Sequence, residues 1–245
     1  MIPKVIHYCW FGRNPLPESA IKCIESWKKF LPDYDIKEWN EDNFDVNIIP
    51  YTAEAYKLKK YAFVSDYARF WILYKYGGLY FDTDVEVIKS MDDIIARGPF
   101  MGIENLAQMG KSPKHLGVNP GLGLGATSGM VLYCDILNKY NKMHYVGLLH
   151  RTSGIVVDHV SNMIESKGYD KKGEMLLCDG VWIYPPEYFC PKDYITNQIN
   201  ITKNTRSIHH YTATWLKKDE TLIYKLKTKF KYLKVRLLVT LNKLM

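Results

Sequence analysis

Asp82-Thr83-Asp84 is the strongest local signal for chemistry in this sequence. The two carboxylates follow Gly77-Gly78-Leu79-Tyr80-Phe81, a glycine pair and a short apolar strand. Ligands in α/β sheets gather at such strand ends. Carboxylates two residues apart are hard oxygen ligands suited to Mg²⁺ or Mn²⁺. An ion held there can bridge a diphosphate and stabilise its charge as it leaves. A lone D-x-D also occurs by chance on solvated loops, so its surroundings decide the reading. Just upstream, Ser65, Asp66 and Arg69 lie in a strongly aromatic segment. Asp66 and Arg69 are three apart and share a helix face. They form either a structural ion pair or a polar patch facing the sugar and ribose of a bound nucleotide sugar.

The elements that must position these groups are legible. Lys4 to Phe11 reads as a first buried strand, with Gly12 and Pro15 marking the loop behind it. A helix starts near Pro17, an acceptable first-turn residue, and runs to Phe30. Asp35–Trp39 reads as a second strand, followed by the polar loop Asn40–Asp45. Tyr61–Tyr76 is a long helix with an apolar stripe, ended by Gly77 and Gly78. Leu79–Phe81, Val85–Ile88 and Pro99–Ile103 are extended. Asn119–Ser128 is glycine-rich. Helices are expected over Met130–Tyr140 and Ser153–Ser166, and short strands over Leu176–Cys178 and Trp182–Tyr184. Pro185–Pro191 reads as a proline-pinned loop, and Ser207–Trp215 as a polar, aromatic-laced segment. The alternation of strand and helix predicts an α/β domain with a largely parallel sheet.

Composition narrows the function classes. The chain has 245 residues, of which 47% are apolar and 24% charged, as in an ordinary globular protein. Aromatic residues make up 14%, including 19 Tyr and 6 Trp, side chains that sugar sites and membrane-edge surfaces both use. Five widely spaced cysteines, without a C-x-x-C, disfavour a disulfide framework or a zinc site and fit a reducing compartment. His7 and Cys9 share a strand face without an orienting third group, so core packing accounts for them better than a nucleophilic dyad. Neither a Gly-x-Ser-x-Gly elbow, an HExxH motif, a Walker loop nor a full dinucleotide fingerprint occurs. The N-terminal apolar run is too short for a signal peptide, and no stretch has the ~18 apolar residues of a membrane span. A cytoplasmic protein is expected.

The net charge of +7 is uneven. From Lys217 to Met245, nine basic residues face only Asp219 and Glu220, so the tail carries the whole excess. A neutral body argues against nucleic acid as partner. In the tail, Ile223, Leu226, Phe230, Leu233, Leu237, Leu241 and Leu244 recur at helical spacing. A basic amphipathic helix is drawn to anionic lipid. The same pattern also fits a helix docked on protein.

Ser65-Asp66-Tyr67-Ala68-Arg69 followed by Leu73 to Asp84 closely resembles the sugar-binding, DXD-containing region of glycosyltransferase family 32. The opening Ile2-Pro3-Lys4-Val5-Ile6-His7-Tyr8-Cys9-Trp10-Phe11-Gly12 resembles the start of these domains, and the likeness covers the first ~100 residues well. The family includes fungal initiating mannosyltransferases and bacterial capsule and lipopolysaccharide enzymes. Large clostridial glucosylating toxins share the pattern. The resemblance implies a GT-A-type fold with a mixed central sheet over residues 1–216, and residues 217–245 as the tail. It implies that Asp84 is the direct metal ligand and that Asp82 reaches the ribose and the metal's water shell. Asp66 and Arg69 then hold the donor sugar and ribose, Tyr80 is a donor-side aromatic, and Trp10 stacks on the donor base. His209-His210-Tyr211-Thr212-Ala213-Thr214-Trp215 resembles the family's ending, making His209 a further ligand and Thr214 and Trp215 diphosphate contacts. Asn119 is a candidate for the donor sugar, since an amide offers both donor and acceptor.

The expected function is metal-dependent, retaining transfer of a sugar from a nucleoside diphosphate to a hydroxyl of a glycan or lipid-linked saccharide. UDP-sugar is favoured over GDP-mannose, and Mn²⁺ over Mg²⁺. Asp84, Asp66 and Arg69 are the expected catalytic groups. The setting is cell-surface polysaccharide synthesis, with the protein peripheral on the inner face of the plasma membrane. A hydrolase, a toxin-like protein glycosyltransferase and a binding module without turnover are the rival readings.

Overall fold

Short apolar strands, several of them buried at every position, build a sheet covered on both faces. The computed structural model describes residues 1–104, 117–145, 155–168, 175–193 and 196–212. Along the chain run β1 (Val5–Cys9), α1 (Glu18–Phe30), β2 (Asp35–Trp39), α2 (Pro50–Lys57), α3 (Tyr61–Tyr76), β3 (Gly78–Tyr80), β4 (Val85–Val87), α4 (Asp92–Arg97) and β5 (Phe100–Gly102). A 3₁₀ turn (Pro120–Leu122), β6 (Leu124–Ala126), α5 (Val131–Tyr140), α6 (Ile155–Ser166), β7 (Leu176–Cys178), β8 (Val181–Tyr184), α7 (Pro186–Phe189) and β9 (Ser207–His209) follow.

Seven strands form one sheet in the order β2-β1-β3-β6-β5-β8-β7, and β4 pairs with β9 in a second, two-stranded sheet. The main sheet is mixed rather than largely parallel. β1 runs parallel to β2 and β3, and β5 to β8, whereas β3–β6, β5–β6 and β7–β8 are antiparallel. The direction of the three-residue strands cannot be read from their apolar content, and the glycine-rich β6 supplies the reversal in mid-sheet.

Side chains alternate between two cores, as the period of two requires. Cys9, Tyr80, Met101, Leu124, Ala126, Val181 and Ile183 join α2, α3, α5 and α6 on one side. Ile6, Tyr8, Leu79, Phe100 and Tyr184 join α1 and Phe189 of α7 on the other. Trp27 of α1, fully buried, donates its indole N–H to Val85 O at 2.7 Å and so ties α1 to β4.

His7 and Cys9 are core residues, as their strand spacing suggested. His7 Nδ1 accepts from Trp39 Nε1 at 3.1 Å and its Nε2 donates to Gly77 O at 3.0 Å. Burial pushes the imidazole down to about 4, so it is neutral and its tautomer is set by its two neighbours. None of the five cysteines forms a disulfide. Among the described residues no helix is long and apolar enough to cross a membrane.

Several elements went unread in the sequence. Pro185–Pro191 contains the one-turn helix α7, because Pro186 is well placed at a first helical position. The segment starting at Ser207 opens as strand β9. Helices α2 and α4 are eight and six residues long, too short for periodicity to reveal. The tail 217–245, together with residues 213–216, lies outside the described residues.

Candidate active site

β1 and β3 are parallel neighbours, so the residues after both strands emerge at one edge of the sheet. Trp10 follows β1 and Asp82 follows β3. Phe81 N–H donates to His7 O at 3.1 Å, holding the strand pair together up to the first aspartate. α3 lies against the core side of β1 and β3 and brings Asp66 and Arg69 to the same edge.

Arg69 is buried, and its Nη2 reaches Asp66 Oδ1 at 3.0 Å and Asp82 Oδ1 at 3.2 Å. Its Nε donates to Ser65 O at 3.2 Å, and its guanidinium lies 5.1 Å from the Tyr80 ring centroid. Tyr80 donates its hydroxyl to Asp82 Oδ1 at 3.1 Å. Asp66, Arg69, Tyr80 and Asp82 thus form one cluster. The ion pair within the helix and the link to the D-x-D are both present, because one guanidinium serves two carboxylates.

The second aspartate is held from the far end of the sequence. β4 begins one residue after Asp84, and its pairing with β9 sets Val85 opposite His209. His209 Nε2 lies 3.2 Å from Asp84 Oδ1. Thr212 donates to Asp84 Oδ2 through its backbone N–H at 2.8 Å and its hydroxyl at 3.1 Å. Tyr211 between them takes φ +53°, in the left-handed region, which turns Thr212 back onto the aspartate. His210 leaves the cluster: its Nε2 meets Glu86 Oε2 at 2.8 Å. Successive residues project to opposite sides, so His209 faces Asp84 and His210 faces Glu86.

One ligand atom from each of Asp82, Asp84 and His209 lies within 4.8 Å of the others. Two carboxylate oxygens and an imidazole nitrogen make a donor set that fits a divalent ion of intermediate hardness. His209 Nδ1 is buried without a hydrogen-bond partner. The ring is packed edge-on against Tyr211 instead, with centroids 4.2 Å apart.

The carboxylates differ in basicity. Burial raises Asp82, the Arg69 guanidinium opposes that, and the charge of Asp84 raises it again. Burial also acts on Asp84, but the His209 ring and the Thr212 hydrogen bonds outweigh it and hold this carboxylate below its ordinary range. Asp66 is pushed up to about 6 by burial, against the attraction of Arg69. Its folded value exceeds the unfolded one, so the native state binds a proton that the unfolded chain does not. The stability this confers is gained as pH falls from about 6 towards 3.8 and is lost as pH rises through 6. Thermal melts at pH 7, 6 and 5 check this. Asp66→Asn should show less gain on acidification than the wild type, and equal gains would rule out Asp66 as the group responsible.

Asn119 joins the site through its neighbour. Its Oδ1 accepts from Gly121 N at 2.8 Å, and a Cβ on Gly121 would collide with Asp82 Oδ2. Glycine is required there for close approach, not for an unusual φ. Trp10 is half-buried and donates its indole N–H to Asn14 O at 2.6 Å. With Arg13, Asn14, Pro15, Glu38, Asn40 and Glu41 it lines a cleft of about 460 Å³ between the ends of β1 and β2. Thr214 and Trp215 lie outside the described residues. Thr212, Gly121 and Glu104, which accepts from Asn119, went unread in the sequence. Thr212 lies within the His209–Trp215 segment, and the turn at Tyr211 is what brings it to Asp84.

Residues 17–101 match the sequence family described as "Glycosyltransferase sugar-binding region containing DXD motif". Inositol phosphoceramide mannosyltransferase 3 of Schizosaccharomyces pombe is 33% identical over 98 residues, 38% of this chain and 27% of that protein. Mannosyl phosphorylinositol ceramide synthase CSH1 of Saccharomyces cerevisiae is 28% identical over 125 residues, 47% of this chain and 33% of that protein. An uncharacterized glycosyltransferase of Acanthamoeba polyphaga mimivirus is 29% identical over 168 residues, 58% of this chain and 67% of that protein. The chain thus spans about a third or less of the fungal relatives. Among solved structures, the PaToxG glycosyltransferase has a TM-score of 0.49 at 18% identity, over 68% of this chain and 70% of that one. A glycosyltransferase involved in glycosylation of the PBCV-1 major capsid has a TM-score of 0.48 at 11% identity, over 93% of this chain and all of that one.

Proposed function

We propose that this chain, which carries the glycosyltransferase sugar-binding DXD region and is related through it to the fungal inositol phosphoceramide mannosyltransferases, is a metal-dependent glycosyltransferase of the GT-A type. Its donor is a nucleoside-diphosphate sugar and its acceptor a saccharide hydroxyl. The observation that carries this reading is the convergence of Asp82, Asp84 and His209 beside the Asp66–Arg69–Asp82 cluster.

Asp82, Asp84 and His209 would hold the ion. Mn²⁺ suits the donor set better than Mg²⁺, because imidazole nitrogen joins the two carboxylates. When bound, the ion neutralises charge on the diphosphate leaving group. Trp10 offers an indole face to the base within its cleft. Asp82 serves the ribose, while Asp66 and Arg69 orient the sugar. The family resemblance implies retention of anomeric configuration, and a front-face transfer, in which the leaving phosphate assists deprotonation of the acceptor, is the form of it we favour.

A lipid-linked saccharide in cell-surface polysaccharide synthesis is the acceptor class we favour. The names of the two yeast relatives place a ceramide in their reactions, and the basic stripe of residues 217–245 suits an anionic cytoplasmic membrane face. The domain boundary near residue 216 belongs to the same reading.

Thermal stability with UDP, GDP or CMP, each with Mn²⁺ or chelator, tests the site. One nucleotide should raise the melting temperature only with metal; no response to any nucleotide would overturn the reading. Deleting residues 217–245 should release the protein from anionic vesicles and leave the nucleotide response in place. Unchanged vesicle binding would refute the role given to the tail.

A further inference from the structure

Asn119 is the one partly exposed residue between Gly117 and Ala126, a run otherwise buried. Its amide is committed at both ends. Nδ2 donates to Glu104 Oε2 at 2.8 Å, and Oδ1 accepts from Gly121 N at 2.8 Å. A backbone N–H only donates, so Oδ1 must face Gly121 and Nδ2 is the end left to face Glu104. One N–H and one lone pair of the amide are left over.

Glu104 lies two residues beyond β5 and is 2% exposed. Its backbone N–H donates to Gly117 O at 2.8 Å, and Asn119 N donates to Gly102 O at 2.9 Å, so the two segments are laced together. A buried carboxylate costs several kcal/mol unless its hydrogen bonds compensate, and the Asn119 Nδ2–H at 2.8 Å is one such bond. On the other side of Asn119, the α-carbon of Gly121 stands against Asp82 Oδ2. Glu104, Asn119, Gly121 and Asp82 therefore form one continuous chain of contacts ending at the first aspartate of the D-x-D.

We infer that Glu104 is a positioning residue that fixes the Asn119 amide so that its remaining N–H donates to a hydroxyl of the donor's sugar. The inference rests on the nucleotide-sugar reading above. It separates two parts of donor binding. The nucleotide is held by the metal-ligand cluster and the Trp10 cleft, and the sugar is read in part by an amide whose polarity Glu104 sets.

Affinity is measured by calorimetry in Mn²⁺ for the pairs UDP and UDP-glucose, and GDP and GDP-mannose. In the wild type the sugar should add affinity to the nucleotide that binds. Glu104→Leu removes the acceptor and should cost about tenfold or more in nucleotide-sugar affinity, with bare nucleotide affinity unchanged. Glu104→Gln keeps an acceptor oxygen and should retain most of the sugar's contribution. A merely structural role would weaken both ligands together.

Should Glu104→Leu fail to fold, the double variant Glu104→Gln with Asn119→Asp replaces it. That pair restores the hydrogen bond with reversed polarity, yet the carboxylate now at position 119 has no N–H to give. It should fold, bind the bare nucleotide and gain nothing from the sugar. An unchanged ratio of nucleotide-sugar to nucleotide affinity in either variant would overturn the inference while leaving the function standing. A wild type that binds no nucleotide and no nucleotide sugar would overturn both.

Discussion

Asp84→Asn should abolish the metal-dependent nucleotide response and lower turnover about 10²–10³-fold, while the metal-free protein stays folded. The asparagine oxygen can still accept from Thr212, whose N–H and hydroxyl now reach Asp84 Oδ2. The new amide nitrogen faces His209 in place of the oxygen that sits 3.2 Å from it. Removing this charge also relieves Asp82, whose pKa Asp84 helps to raise. The metal-free melting temperature should therefore change by the equivalent of about 1 kcal/mol or less, as for an ordinary substitution. The loss comes from removing one of the two carboxylate charges in the donor set, because the asparagine oxygen left in its place is a neutral and weaker ligand. Calorimetric titration of Mn²⁺, alone and with nucleotide, checks it. Full metal affinity in this variant would remove Asp84 from the ligand set.

Arg69→Met should act on the fold itself. Arg69 answers two carboxylates with one nitrogen, 3.0 Å from Asp66 and 3.2 Å from Asp82, and its side chain is 4% exposed. Methionine fills much of the volume but leaves both acids without their cation. Breaking a buried ion pair by removing one partner costs about 3–5 kcal/mol, which for a chain of this size lowers the melting temperature by about 10 °C. Adding Asp66→Asn should return part of that loss, because the more enclosed of the two acids is then neutral. The double variant should remain inactive, since among the described residues Asp82 then keeps only the Tyr80 hydroxyl as a hydrogen-bond donor. A drop of less than about 1 kcal/mol, the range of exposed pairs, would mean that solvent reaches the cluster and the pair is not structural.

These two expectations mark where the sequence was informative. Helix α3 could be read to the residue because its apolar stripe is long and Gly77, at φ +66°, stops it. The spacing of Asp66 and Arg69 placed them on one helical face, and the strand exit placed Asp82 near them. His209 was reached only by likeness. No local pattern in Ser207–His209 says that it pairs with β4, because register between strands far apart in sequence is set by the whole fold. Glu104 and Gly121 were invisible for a related reason. A single acid after a three-residue strand and one glycine among several gain meaning only through Asn119 and Asp82, which approach them in space. The mixed sheet was reached through the resemblance, whereas the alternation of elements alone pointed to a largely parallel one, because strands as short as β6 do not reveal their direction.

The most direct test of the account is release of nucleoside diphosphate from a panel of UDP- and GDP-linked sugars with a saccharide acceptor, in Mn²⁺ and in chelator. At least one donor should give release that needs the metal, rises with acceptor and disappears in Asp84→Asn. Release that is indifferent to chelator, or equal in wild type and Asp84→Asn, would contradict it.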